Sequence, residues 1–297
     1  MITCGRGDPS KQYQVDGEQA FLYMLEREHC ASKYSMMEFT YGDSWNSICE
    51  QSLAAERWLV DNHEHRLHDL GFFVNLFPAY AQCIRRRIER NGDIVPPEGR
   101  RCIGFVDRVS MQIARPRGNW QFQRMWYGFK SGFHNFAYQS LYTPDGMHAH
   151  FCGPAAGRAN DRLLMMNSNL ESLLEALQQV NGRLVPRNQR YFAYTDRGYD
   201  SDRCIHAAHH GIYVTAQQVI DNHCMSPVRV CVEWGFARLR AMSKLLDTKW
   251  NMKMQASAVD YHVKSAVLLS NARTCLQAGQ NTSYFDVEPP TLESYFL

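Results

Sequence analysis

Between Arg101 and Gly146 the chain passes through three β-rich runs joined by short links, and no other stretch constrains its fold as tightly. CIGFVDRVSMQI is dense in branched apolar residues, QRMWYGFKS is rich in aromatics, and FHNFAYQSLYTPDG ends in the turn Pro144-Asp145-Gly146. Three consecutive strands on such links predict an antiparallel meander. Residues 157–180, including RLLMMNSNLESLLEALQQV, read as helix with an interruption near Asn167 to Asn169. RYFAYTD then reads as a fourth strand with Asp196 at its carboxyl end. A variable loop from Arg197 to Met225 follows. Ser226-Pro227, a capping serine before a proline at the first helical position, predicts a helix from Pro227 to about Leu246. That order predicts an α/β domain: a mixed sheet flanked by helices.

Upstream the period is helical. Residues 16–30 carry Ala20, Phe21, Met24 and Leu25 at helical spacing behind the cap Asp16, and a second helix is expected from the cap Ser44. A further helix, Phe77 to Asn91, ends in Arg85-Arg86-Arg87 and Arg90 and is closed by Asn91-Gly92. These helices resemble a helix-turn-helix unit, and a plain packing module accounts for them equally well. The basic run reads as a solvated helical face, with phosphate contact or a nuclear-import signal as the functional alternative. Pro96, Pro97 and Gly99 break all periodicity and mark a boundary. The expected organisation is a small all-helical region over 1–98, the main α/β domain over 99–275, and an irregular tail over 276–297 containing Pro289-Pro290.

The 297 residues are 45% hydrophobic, enough for one substantial core and an appendage. A formal charge of only +2 does not announce a nucleic-acid partner, so any such argument rests on where the charges sit. Ten cysteines are scattered, several within apolar runs, which suggests buried thiols in a reducing compartment. No run reaches the ~18 apolar residues of a membrane span. MITCGRGDPSKQYQ has no apolar core for a signal peptide, so a soluble intracellular protein is expected, without membrane partners. Arg6-Gly7-Asp8 and the sequon Asn281-Thr282-Ser283 then read as chance matches.

Three acids stand out. Asp107 lies within the apolar run IGFVDRVSM, where a carboxylate is costly to bury without a compensating cation. Asp196 closes a strand, where ligand sites of mixed sheets commonly form. At about 100° per residue, Arg229, Glu233, Arg240 and Lys244 share a narrow sector of the later helix, while Val228, Val232, Phe236, Leu239, Met242 and Leu246 form a separate apolar face. Taken singly, each acid reads as a cap or an ion-pair partner, such as Arg229 with Glu233 at i,i+4.

IGFVDRVS, the following RP, YGFK, the strand running into TPDG, GPAAGRAND, YTDRGY and VRVCVEWGFARLR occur in an order and spacing that resembles the DDE domain of Harbinger (PIF-type) transposases and of the harbinger-derived nucleases domesticated by hosts. The resemblance covers roughly residues 100–250, and its most specific element is the pair TDRGY and VEWGFARLR, with 36 residues between Asp196 and Glu233. It implies a ribonuclease-H-like fold. It also implies a DNA endonuclease in which Asp107, Asp196 and Glu233, with Asp161 as a further candidate, hold divalent Mg²⁺ or Mn²⁺. Two-metal hydrolysis needs carboxylates converging on ions ~3.5–4 Å apart, and such ions prefer oxygen ligands. Two departures stand beside the resemblance. Arg108-Val109 follows the first aspartate where the family tends to have Gly-Thr, and Asn160 precedes Asp161 where it has histidine.

Arg115 and Arg117 after the first strand, with Arg229, Arg240 and Lys244, are the candidate DNA contacts, solvated charge being the alternative. Arg183, Arg187 and Arg190 before the fourth strand raise the same choice. Trp120, Trp126 and Tyr127 read as core rather than base-stacking residues. Cys204, His206, His209, His210, His223 and Cys224 fit no compact zinc spacing. DNA is the expected partner, with a separate DNA-binding protein and a homo-oligomer as further expectations and the nucleus as the expected location. The competing classes are a catalytically silent DNA-binding or adaptor protein, favoured by Arg108, Asn160 and a helical unit that begins abruptly, and an RNA-processing ribonuclease on the same fold.

Overall fold

A computed structural model describes residues 1–4, 13–96, 100–247, 252–254 and 256–297. Arg6-Gly7-Asp8 and residues 97–99 of the expected boundary lie outside the described residues. Strands β1 (Ile2–Cys4) and β2 (Tyr13–Val15) pair antiparallel ahead of helices α1 (Gly17–Cys30), α2 (Tyr34–Tyr41), α3 (Trp45–His63) and α4 (Phe77–Arg90). Asp16 caps α1 by accepting from the Glu18 amide, and Ser44 caps α3 by accepting from that of Ser47, as their spacing predicts.

The main sheet follows: β3 (Cys102–Gln112), helix α5 (Trp120–Trp126), the two-residue β4 (Tyr127–Gly128), β5 (Phe133–Tyr142) and β6 (His148–Ala156). Helices α6 (Asp161–Ser168) and α7 (Leu170–Ala176), the hairpin β7 (Gln179–Val180) and β8 (Arg183–Leu184), then β9 (Phe192–Thr195) and β10 (Ile205–Ala207) complete it. Among the described residues the long strands lie in the order β6-β5-β3-β9-β10, with β4 also on β5. β3, β5 and β6 are antiparallel neighbours, and β9 and β10 extend them in parallel. The carboxyl-terminal half adds α8 (Ala216–Arg229), α9 (Cys231–Met242), α10 (Lys244–Asp247), α11 (Val259–Leu276), α12 (Gln280–Phe285) and α13 (Leu292–Phe296). A mixed sheet covered by helices is what the order of elements predicts, and it is consistent with the ribonuclease-H-like fold that the family resemblance implies.

Two clusters of buried side chains cover the sheet. One joins Phe105 and Val109 of β3 to Val228, Val232, Phe236 and Leu239 of α8 and α9, and continues into Met24, Ala55 and Leu59 of the amino-terminal helices. The other joins Val106 and Ile103 to Phe77, Leu170, Leu174 and Ile205. The alternation of Phe105 and Val106 between the clusters is the period-two pleat of β3.

Several expectations are corrected. The first four residues of QRMWYGFKS belong to helix α5 rather than to a strand, and among the described residues Tyr127 and Gly128 alone of that run pair with β5; Asn119 caps the helix by accepting from the Phe122 amide. Trp120 is exposed and Trp126 half-buried, so the first is no core residue. β6 follows the Pro144-Asp145-Gly146 turn, and β10 lies within the segment read as variable loop. The helix expected to open at Pro227 begins at Ala216, where Thr215 and Gln218 form a reciprocal capping box. Pro227 lies inside α8, and the helix breaks at Val230, three residues beyond it. The interruption near Asn169 is present, Asn169 adopting a left-handed conformation at φ 55° between α6 and α7. The tail is not irregular: α13 docks with Tyr295 buried, its hydroxyl accepting from Asn271 Nδ2. The sequon asparagine Asn281 is buried in α12, closed to a glycosyl group. The nine cysteines from Cys30 to Cys275 are free thiols.

Candidate active site

β3 and β9 run parallel, with Val106 opposite Thr195. The next residues, Asp107 and Asp196, therefore leave neighbouring chains side by side on the same face, since successive side chains alternate. Asp107 is four-fifths buried and its Oδ1 accepts the Arg108 amide at 2.7 Å. Asp196 closes a tight turn, its Oδ1 accepting the Gly198 amide at 2.8 Å. Across that turn stands Asp161: a Cβ at Gly198 would lie 2.6 Å from Asp161 Oδ2 and 3.0 Å from Asp196 Oδ1. The glycine of TDRGY is thus required by two carboxylates facing each other over it.

Asn160 caps α6 by accepting the Leu163 amide at 2.9 Å, which sets Asp161 at the first helical position, where the helix dipole favours an acid. The asparagine that departs from the family pattern has this structural task. Arg108 points away from Asp107: Nη1 and Nη2 donate to the carbonyls of Ala159 and Gly157 at 2.7 and 2.8 Å, and Nη1 lies 3.7 Å from Asp161 Oδ1. It ties the acids' strand to the loop before α6 rather than competing for the first aspartate.

Arg229 is the cation that reaches Asp107. Its Nη1 is 3.5 Å from Asp107 Oδ2 and its Nη2 is 3.5 Å from Glu233 Oε1. Glu233, in the first turn of α9 with its side chain 55% exposed, is held to Arg229, the cation it shares with Asp107. Burial, and then the charges of Asp196 and Glu233, push the Asp107 carboxyl up to about 6 against the opposing pull of the Arg108 amide and Arg229. Asp161 is raised by burial and by Asp196, with Arg108 and Lys130 opposing. Tyr199 is buried among Asp161, Asp107 and Asp196 with no hydrogen-bond partner for its hydroxyl.

A cavity of about 460 Å³ opens over Asp107, Asp161 and Asp196, with Arg108, Lys130 and Arg158 on its walls. Lys130, Arg158 and Tyr199 escape sequence reasoning. Lys130 sits within YGFK and Tyr199 within TDRGY, so the motifs themselves carried the signal. Of the candidate DNA contacts, Arg229 adjoins the acids, and Arg240 Nη2 donates to the Ser110 carbonyl at 3.2 Å beside the cavity. Arg115 is exposed and bonded to Gln123 Oε1, while Arg117 and Lys244 are exposed.

Oxygen donors of this kind suit a hard divalent cation, and the burial and, after it, the mutual repulsion that raise Asp107 are what such a cation would offset. A tighter donor group lies elsewhere. Among the described residues, Glu28, Glu56 and His262 bring one ligand atom each within 4.8 Å of one another, a set that could hold a divalent ion. All three are buried where α1, α3 and α11 meet. His262 Nδ1 is 2.7 Å from Glu56 Oε2 without hydrogen-bond alignment, and Glu28 accepts from Ser265 and Ser243. The group is remote in sequence from Asp107, Asp161 and Asp196 and lines none of their cavity.

Residues 106–271, more than half of the chain, match the family described as DDE superfamily endonuclease. The match spans Asp107, Asp161, Asp196 and Glu233. No curated protein and no solved structure matches the chain. With its sheet, its neighbouring aspartates on β3 and after β9 and this match over most of the α/β region, the chain belongs to the DDE superfamily endonuclease family.

Proposed function

We propose that the protein is a Harbinger-type, metal-dependent DNA endonuclease that cuts a phosphodiester, with or without strand transfer, at the cavity over Asp107 and Asp196. The observation that carries this reading is the register: Val106 opposite Thr195 sets Asp107, in the middle of β3, beside Asp196, just past the end of β9, under a cavity walled by Arg108, Lys130 and Arg158. Asp107 and Asp196 hold Mg²⁺ or Mn²⁺, Glu233 completes the set once released from Arg229, and Asp161, across Gly198, is the alternative third acid. The bound ions supply activation of the attacking water or 3′-hydroxyl and stabilisation of the leaving oxygen. Lys130 and Arg158 neutralise the incoming phosphate, and the Gly198 turn holds the Asp196 carboxylate in place. A nuclear location, a separate DNA-binding partner and a homo-oligomer accompany this reading as proposals, as does a division into an amino-terminal helical region and a nuclease domain.

Asp107→Asn, Asp196→Asn and Glu233→Gln should each abolish Mg²⁺- or Mn²⁺-dependent nicking of duplex DNA while preserving the folded circular-dichroism spectrum. Retained cleavage removes that residue from the mechanism, and Asp161→Asn tests the alternative third acid. Cleavage of an RNA oligomer in preference to DNA would reassign the substrate.

One contact favours a second reading, a catalytically silent DNA-binding descendant: Arg229 stands between Asp107 and Glu233 in the position of a counter-ion. Such a protein binds DNA with neither nicking nor a thermal shift on Mn²⁺ titration.

A further inference from the structure

Two arginine runs that lie about a hundred residues apart in the chain meet in the fold. Arg85 of α4, Arg100 and Arg101 at the entrance to β3, and Arg187 and Arg190 ahead of β9 line one cavity of about 550 Å³ together with Tyr191. None of its described lining residues is acidic. Arg85 is offset by Glu89 at 2.9 Å within its own helix.

Two of the guanidinium groups are held in place by the backbone. Arg101 Nη1 donates to the Gln189 carbonyl at 2.9 Å and its guanidinium lies over the Tyr191 ring, 5.3 Å from the centroid. Arg190 Nε donates to the Val185 carbonyl at 2.7 Å. Each of these arginines spends one of five donors on the backbone and keeps the rest for a ligand. Confining like charges in a concavity costs free energy that a bound anion returns, and planar guanidinium forks match phosphate oxygens in pairs.

The place of the cavity identifies which phosphate it takes. Tyr191 precedes β9 and Asp196 follows it, so five residues at roughly 3.3 Å each separate cavity and acids by about 16 Å along the strand. A phosphate at the arginines is therefore not the one over Asp107 and Asp196, yet both fall within about one 34 Å turn of duplex. We infer that this arginine-lined cavity is an anchoring site for the phosphate backbone of the DNA duplex flanking the cut. The inference rests on the endonuclease reading for its choice of DNA.

The test is anisotropy of a fluorescein-labelled 30-base-pair duplex titrated with the full chain in EDTA, over a series of salt concentrations. Arg100→Ala/Arg187→Ala, which leaves the backbone-bonded Arg101 and Arg190 in place, should weaken binding roughly tenfold or more. It should also reduce the slope of log affinity against log salt by about 1.8, at ~0.9 for each phosphate no longer neutralised. A second variant, Arg187→Glu, should weaken binding further, and circular dichroism confirms that both are folded. Unchanged affinity and slope overturn the inference. So does a thermal shift with inorganic phosphate or pyrophosphate that the variants abolish while duplex affinity stands, because the cavity then serves a small anion. Loss of duplex affinity in the variants of a chain that never nicks DNA with Mn²⁺ overturns the endonuclease reading and keeps the anchor; nicking with unaltered duplex affinity does the reverse.

Discussion

Replacing Glu28 by glutamine should change how stability depends on pH. Glu28 is wholly buried, accepts hydrogen bonds from Ser243 and Ser265, and shares its surroundings with Glu56 and His262. Burial, then the charge of Glu56, pushes its carboxyl up to about 8, with Ser243, His262 and Ser265 opposing. In the unfolded chain a glutamate titrates near 4.3. As pH rises from there to about 8, the unfolded state gives up a proton that the folded state keeps, so stability falls by about 1.4 kcal/mol per pH unit. Between pH 5 and pH 7 this comes to roughly 3 kcal/mol. His262 acts in the same direction: burial lowers its pKa, but Glu56 and Glu28 outweigh burial and raise it, so its contribution is complete below about 6.5 and is lost as pH climbs through the folded value. Glu28→Gln keeps the shape, removes the titration, and should flatten the slope between pH 5 and 7, the variant gaining on the wild type as pH rises. Urea midpoints at pH 5, 6, 7 and 8, with a common m-value, measure this. Parallel slopes for wild type and variant would refute the argument that Glu28 folds in its protonated form.

Three further outcomes are expected. Gly235→Ala places a Cβ 2.6 Å from two ring carbons of the buried Tyr142 and should cost about 1–3 kcal/mol in chemical denaturation; since Glu233 sits two residues earlier on α9, it should also impair nicking. Tyr80→Phe removes the 2.5 Å hydrogen bond to the fully buried Asp145, which keeps those from Thr143 and the Met147 amide, and should cost about 1.5–3 kcal/mol by thermal unfolding. Arg229→Ala frees Asp107 and Glu233 from the cation between them and should lower the Mn²⁺ concentration at the midpoint of the thermal shift about fivefold, roughly 1 kcal/mol for a part-buried ion contact; an unchanged midpoint would show that Arg229 does not compete for these carboxylates.

Local signals were legible wherever the chemistry is local. Asp16 and Ser44 cap helices because a short side-chain oxygen reaches an amide two or three residues on, whatever the rest of the chain does. The same local logic misled at Ser226-Pro227, where a good start signal lies inside a helix already begun at the stronger Thr215–Gln218 capping box. Helix α11 left no periodic trace: its buried residues, from Val259 to Thr274, run around nearly its whole circumference, and even His262 and Lys264 are enclosed. β6 was obscured because the alternation in HAHFCGPAA places His148 and His150 in the interior, where polar residues are rarely expected.

By itself the order of residues marked strands β3, β5 and β9, the caps that begin several helices, and the motifs that carry Asp107, Asp196 and Glu233, since each depends on neighbours a few positions away. Tertiary structure alone decided that Asp107 and Asp196 stand side by side, that Asp161 faces them over Gly198, that Arg229 parts Asp107 from Glu233, and that two distant arginine runs share one cavity. Each of these is a meeting of residues remote along the chain, set by strand register and helix packing, and no pattern confined to one segment encodes the distance across such a contact.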